Sequence, residues 1–142
     1  MINRKADARW NGDLKSGTGQ IKLGSGAFEG PYSFGTRFES VRGTNPEELL
    51  GAAHAGCFSM DFASRLSKAG HDPRSVSTTA TVTLDKIDGG MSITGIALVT
   101  RAEVAGISEA DFQRIVNETK TGCIISRALA SVPMTLKATN AG

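Results

Sequence analysis

One stretch of this chain constrains its fold more than any other. From Leu49 to Met60 there is no formal charge, taking His54 as neutral. Leu49, Leu50, Ala52, Ala53, Ala55, Phe58 and Met60 cover nearly the whole circumference of a helix with that register. A helix that is apolar on all sides is buried. Its start is marked: Thr44-Asn45-Pro46-Glu47 fits the T-x-x-E capping box, with proline in the first turn, and Gly70 marks the end. The spacing predicts a helix over 45–69. A chain of 142 residues can bury such a helix only by wrapping it in sheet or in a second subunit. Gly51, Ala52, Ala55 and Gly56 would let another backbone approach closely. A mid-helix glycine costs about 1 kcal/mol against alanine, so two of them point to a packing reason.

Around this helix the chain reads as short strands. Residues 4–24 predict a hairpin turning at Asn11-Gly12-Asp13, with a second strand near Gly19–Leu23. Residues 24–43 are glycine-rich and read as an irregular loop with a short strand near Tyr32-Ser33-Phe34. This loop carries Phe34, Arg37 and Phe38, an odd load for a mere connector. Val76, Thr78, Ala80, Val82 and Leu84 alternate with polar residues, predicting a strand over 76–86. Asp88-Gly89-Gly90 turns it into a second strand over about 91–104. Ser108 and Asp111 cap a helix with Phe112, Ile115, Val116 and Thr119 on one face, and Gly122 sits at a C-cap-like position. A short helix opens at Cys123, and Val132 to Ala138 alternate in a last strand. Strands joined by hairpins and interleaved with helices indicate one α+β domain, residues 1–142, with mainly antiparallel sheet.

Composition removes several function classes. Sixteen basic and fourteen acidic residues give a net charge of +2, and no basic cluster suggests nucleic acid. No apolar run approaches the ~20 residues of a membrane span, and no signal-peptide pattern opens the chain. The chain therefore reads as soluble and cytoplasmic. No GxGxxG precedes a helix, so phosphate cradling has no support, and no G-x-S-x-G occurs.

The chemistry rests on two cysteines, Cys57 and Cys123. Three readings stay open: buried core thiols, a redox pair, or metal ligands with His54, which shares a helix face with Cys57. His54 could equally serve as a base to the thiol or as a structural polar residue. Mid-helix, Cys57 lies beyond the reach of the helix N-terminal dipole, and a thiol buried among apolar groups is inert. To react it needs a cation. Arg37 in the aromatic loop is the best candidate, and a buried arginine needs a carboxylate, for which Glu47 is the choice. Cys123 follows Gly122 at a helix start, where free backbone N–H groups favour thiolate.

Thr36-Arg37-Phe38-Glu39, followed by Gly43-Thr44-Asn45-Pro46-Glu47-Glu48-Leu49-Leu50-Gly51-Ala52-Ala53-His54-Ala55-Gly56-Cys57-Phe58-Ser59-Met60, resembles the OsmC/Ohr family, the osmotically inducible and organic hydroperoxide resistance proteins. Trp10-Asn11-Gly12-Asp13, Leu84-Asp85-Lys86 and the Gly122-Cys123 helix extend the resemblance over nearly the whole chain. The T-R-F loop favours the OsmC branch. The resemblance implies an OsmC-like fold, with antiparallel sheets around a long buried central helix, as an intertwined homodimer with active sites at the subunit interface. It implies a thiol peroxidase acting on organic hydroperoxides and hydrogen peroxide, without cofactor or metal. Cys57 matches the peroxidatic cysteine, Cys123 the resolving one, Arg37 the loop arginine and Glu47 its carboxylate partner. The expected chemistry is a Cys57 sulfenic acid, then a Cys57–Cys123 disulfide recycled by an external dithiol, with lipoyl groups among the family's reductants. Relatives commonly carry proline directly after the second cysteine; Ile124 stands there. Two alternatives remain: a non-enzymatic thiol sensor, and a small-molecule-binding module of the same fold.

Ten residues separate Glu47 from Cys57, about 15 Å of rise on a continuous helix. No glutamate side chain spans that. If Arg37 and Glu47 serve a Cys57, either the helix breaks or the cysteine belongs to the other subunit. The second is the expectation.

Overall fold

The computed structural model describes residues 1–142. They form two compact units, Met1–Leu49 and Leu50–Gly142, and the boundary falls inside the long helix.

The first unit is a three-stranded antiparallel sheet and a short helix. Strands β1 (Ala6–Asn11), β2 (Thr18–Leu23) and β3 (Glu29–Tyr32) lie in sequence order. The predicted hairpin is present, with Ala6 opposite Leu23 and Asn11 opposite Thr18. The glycine-rich segment differs from its expectation. Its strand ends at Tyr32, and Phe34–Phe38 form a helix, α1. Ser33 caps α1 reciprocally: its hydroxyl accepts from Thr36 N at 3.2 Å, and Thr36 Oγ1 accepts from Ser33 N at 2.9 Å. Two satisfied donors at its start stabilise a helix too short to stand on propagation alone.

Helix α2 runs without interruption from Pro46 to Lys68. Its cap is one residue later than the sequence pattern indicates. Asn45 Oδ1 accepts from Glu48 N at 2.7 Å, while Thr44 Oγ1 bonds the Glu48 carboxylate at 3.0 Å. That leaves the Glu47 side chain free for another partner. One face of α2, Gly51, His54, Phe58, Phe62 and Leu66, is buried; Ala52, Ala53, Gly56 and Met60 are exposed in the single chain. Gly51 is where a strand comes close. A Cβ there would lie 3.2 Å from Ala80 O, tight for any side chain.

In the second unit, β4 (Ser75–Ile87) pairs antiparallel with β5 (Gly90–Glu103) through the Asp88-Gly89 turn. Helices α3 (Glu109–Gly122) and α4 (Ile124–Ala128) follow, then β6 (Met134–Asn140), which joins the far side of β5 in parallel. Ser108 caps α3 as expected, accepting from Asp111 N at 3.1 Å. The last strand begins two residues later than its alternation suggests. Pro133 has no N–H to offer the ladder, though its carbonyl accepts from Ile96 N at 2.9 Å. Phe58, Phe62 and Leu66 of α2 meet Ile96, Leu98 and Ala102 of β5 and Phe112, Ile115 and Val116 of α3 in one core that also encloses Cys123. Phe62 and Phe112 stack edge to face with centroids 5.4 Å apart, an arrangement the ring quadrupoles favour. The core thus locks the middle of α2 against the α3–α4 junction.

Candidate active site

Two clusters hold the residues singled out from the sequence. The first joins Arg37 and Glu47. Arg37 Nε reaches both carboxylate oxygens, at 3.1 and 3.2 Å, and Nη2 reaches Oε1 at 2.6 Å. Glu47 is buried and Arg37 exposed. The guanidinium also lies 5.1 Å from the Phe38 ring centroid, and Phe38 tilts against Phe34. Nη1 makes no hydrogen bond within the chain. A bidentate clamp on one edge and a ring on the face fix the direction of the remaining N–H groups. The local cause lies in the two caps. Ser33 sets α1, which carries Arg37; Asn45 sets α2, which aims Glu47; and Asn45 Nδ2 ties the two by donating to Thr36 O at 3.1 Å.

The second cluster joins the thiols. Cys57 and Cys123 are both free, the first partly exposed and the second buried. They adjoin each other. Burial pushes the Cys57 thiol above the ordinary cysteine range. The backbone N–H groups of Ile125 and Ile124 pull it down, and the neighbouring Cys123 adds to the rise. Within this unit, then, burial and Cys123 disfavour ionisation of Cys57. The first amides of α4 were expected to serve Cys123. They divide instead: Ile124 and Ile125 face Cys57, and Ser126 N donates to Cys123 Sγ at 3.3 Å. Cys57 opens into a largely apolar pocket of about 490 Å³ lined with Met60, Asp61, Ile124 and Ile125. Asp61 is held at 2.7 Å by Arg65, whose guanidinium lies over Gly122 where any Cβ would meet it. Ile124, in the place where proline was expected, keeps its side chain exposed at the pocket rim.

Sequence reasoning missed one element of this cluster. Cys123 Sγ bonds Ser126 Oγ at 3.1 Å, and Ser126 Oγ bonds His54 Nε2 at 2.8 Å, with His54 fully buried. The offset of Ser126 from Cys123 is that of a residue facing its own cap, which could have pointed to the first of these contacts. The contact with His54, 72 residues away, leaves no trace in local spacing. No group of three or more His, Cys, Asp or Glu side chains converges as a metal site would require.

The family model for OsmC-like protein matches residues 38–137. Over 129 residues, covering 90% of each chain, the sequence is 49% identical to Peroxiredoxin OsmC of Escherichia coli (strain K12). The chain belongs to the OsmC-like family. An organic hydroperoxide resistance protein of Xanthomonas axonopodis pv. citri is 33% identical over 90 residues, which is 61% of this chain and 59% of that one. In three dimensions the OsmC-like fold superposes on the crystal structure of the organic hydroperoxide resistance protein OhrB of Bacillus subtilis. The TM-score is 0.79 at 24% identity, covering 97% of this chain and 98% of that one. As in that structure, the fold is α+β, with sheets that are antiparallel but for the β5–β6 pair. No helix of this OsmC-like chain is long and apolar enough to cross a membrane.

Proposed function

We propose that this chain is a thiol peroxidase that reduces organic hydroperoxides and hydrogen peroxide. The observation that carries this reading is a partly exposed thiol in an apolar pocket with a second thiol beside it and two backbone amides directed at it. The names of relatives, a peroxiredoxin and an organic hydroperoxide resistance protein, support the same class of reaction.

Cys57 acts as the nucleophile. Its sulfur attacks the distal peroxide oxygen, the O–O bond breaks, and alcohol or water leaves after taking up a proton. Cys57 becomes a sulfenic acid. Cys123 condenses with it, water departs, and an external dithiol restores both thiols by exchange. Arg37, aimed by Glu47, stabilises the thiolate and polarises the peroxide. Because burial works against Cys57 ionising, an external cation is what the chemistry lacks within the second unit. Glu47 and Cys57 stand ten residues apart on the unbroken α2, about 15 Å along its axis. The Arg37–Glu47 pair therefore serves Cys57 of a second copy, in a homodimer that covers Ala52, Ala53, Gly56 and Met60.

The test is turnover of cumene hydroperoxide with dihydrolipoamide as reductant. Wild type is expected to lose both thiols quickly and then turn over steadily. Cys57→Ser is expected to be inactive, and undiminished turnover in that variant would sink the scheme. Rapid oxidation with no turnover under any dithiol supports the sensor reading instead.

A further inference from the structure

His54 is the buried titratable group for which the peroxidase reading has no use. It lies at 0% exposure, its Nε2 bonds Ser126 Oγ at 2.8 Å, and its Nδ1 has no partner at all. A buried polar atom left unpaired is destabilising, and native structures hold few of them. A chain under pressure only to fill this space would do better with an apolar side chain. Cys123 Sγ bonds Ser126 Oγ with the thiol as donor. The Ser126 hydroxyl has one hydrogen to give, and with the ring proton on Nδ1 it goes to Nε2, the end of a thiol–hydroxyl–imidazole chain.

Resting on the peroxidase reading above, we infer that Ser126 and His54 carry the proton released when Cys123 attacks the Cys57 sulfenic acid. The Cys123 sulfur pair forms the S–S bond. The Cys57 S–O bond breaks, and its pair leaves with the oxygen. The thiol proton passes to Ser126 Oγ as the Ser126 proton passes to His54 Nε2. The departing hydroxide is protonated from solvent, to which the His54 imidazolium returns the thiol proton through Ser126, so the step releases one water and no net proton and changes no redox state beyond the two sulfurs. Ser126 touches the reacting sulfur; His54 acts through it and is a positioning residue. Burial holds the imidazole pKa below its ordinary value, with no charged neighbour contributing, so the imidazolium sheds its proton readily. The way out is through Ser126, which lines an open pocket of about 400 Å³ with Lys120 and Arg127. The titratable or charged groups along the path are thus Cys57, Cys123, Lys120 and Arg127, with no carboxylate among them.

The experiment follows one oxidising equivalent of cumene hydroperoxide through the reduced protein. Dimedone trapping reports the sulfenic acid, and thiol loss reports the disulfide, from pH 6 to 9. Wild type is expected to form the disulfide at a rate that varies little with pH. In Ser126→Ala, and in His54→Gln, which keeps a bond to Ser126 but takes no proton, peroxide still oxidises Cys57. The sulfenic acid then accumulates, and disulfide formation slows about 100-fold near neutrality, the usual size of a general-base effect. Its rate climbs tenfold per pH unit as hydroxide replaces the relay. Ser126→Thr, which keeps the hydroxyl, recovers most of the wild-type rate and profile. A merely structural role would lower the rate without creating the pH slope. Disulfide formation at wild-type rate and slope in both variants overturns the relay while leaving the peroxidase intact. Wild type that forms no sulfenic acid overturns the peroxidase reading and the relay with it.

Discussion

Arg37 and Glu47 illustrate how little freedom a well-held charge retains. Three donor–acceptor contacts on one edge and a phenyl ring on one face leave Nη1 pointing a single way. Glu47→Gln keeps the shape and removes the charge. Hydrogen bonds to charged groups contribute about 1.5–3 kcal/mol, so oxidation of Cys57 by peroxide is expected to slow roughly 10–100-fold in this variant. Alkylation of Cys57 by iodoacetamide should shift to higher pH, and circular dichroism should be unchanged. An oxidation rate equal to wild type would remove Glu47 from the machinery. At His54 the consequence is acid sensitivity. Above the ordinary imidazole pKa, 6.5, folded and unfolded chains both hold it neutral. Below that value the unfolded chain takes up a proton that the buried ring refuses, so stability falls as pH drops from 6.5 toward the lowered folded value. Urea unfolding at pH 7.5 and 5.5 should show this loss in wild type and a smaller one in His54→Gln.

At the scale of elements, α1 is where Arg37 gains its position, and it depends on one cap. Ser33→Ala removes the acceptor for Thr36 N, with an expected cost of about 1 kcal/mol. Peroxide reactivity should fall together with stability, measured by denaturant unfolding and stopped-flow oxidation. The same helix marks a limit of sequence reading. Its five residues are fewer than two turns, too short for a 3.6-residue period to register among glycines, and its capping partner is Thr36 rather than the usual Glu or Gln. The long α2 and the β4–β5 hairpin were legible because their patterns run over many residues. The alternation of β4 from Ser75 to Asp85 admits one face assignment, and Asp88-Gly89 admits one kind of turn. Helix α2 was legible to within a residue, yet its cap fell to Asn45 instead of Thr44. Either side chain can accept at a helix start, so local sequence does not choose between them. The parallel docking of β6 on β5 and the approach of Ser126 to His54 are long-range facts with no local signature. Cys57, Cys123, Arg37 and Glu47 could be nominated from chemistry and resemblance, but the division of the α4 amides between two thiols could not.

For the whole molecule, the open side of α2 is the informative surface. Ala52, Ala53, Gly56 and Met60 are exposed in the single chain, and nothing lies within 4 Å of a Cβ built at Gly56. Small residues in a row suit close contact with another backbone, and a shared two-fold interface would bury them on both copies at once. Gly56→Arg is expected to shift the protein from dimer to monomer in light scattering and to slow Cys57 oxidation at the same time. A dimer of unchanged mass and reactivity would show that this face is not the contact.

The unbroken run of α2 from Glu47 past Cys57 also has a genetic meaning. If the arginine clamp serves Cys57 of the partner, a defect in the clamp and a defect in the cysteine of one chain fall in different pockets. When Arg37→Ala and Cys57→Ser chains are unfolded together in equal amounts and refolded, half of the pairs are mixed. Each mixed pair carries one pocket with both lesions and one with neither. Two preparations that are each inactive should therefore regain about a quarter of wild-type turnover by complementation, as two damaged alleles do when their products assemble.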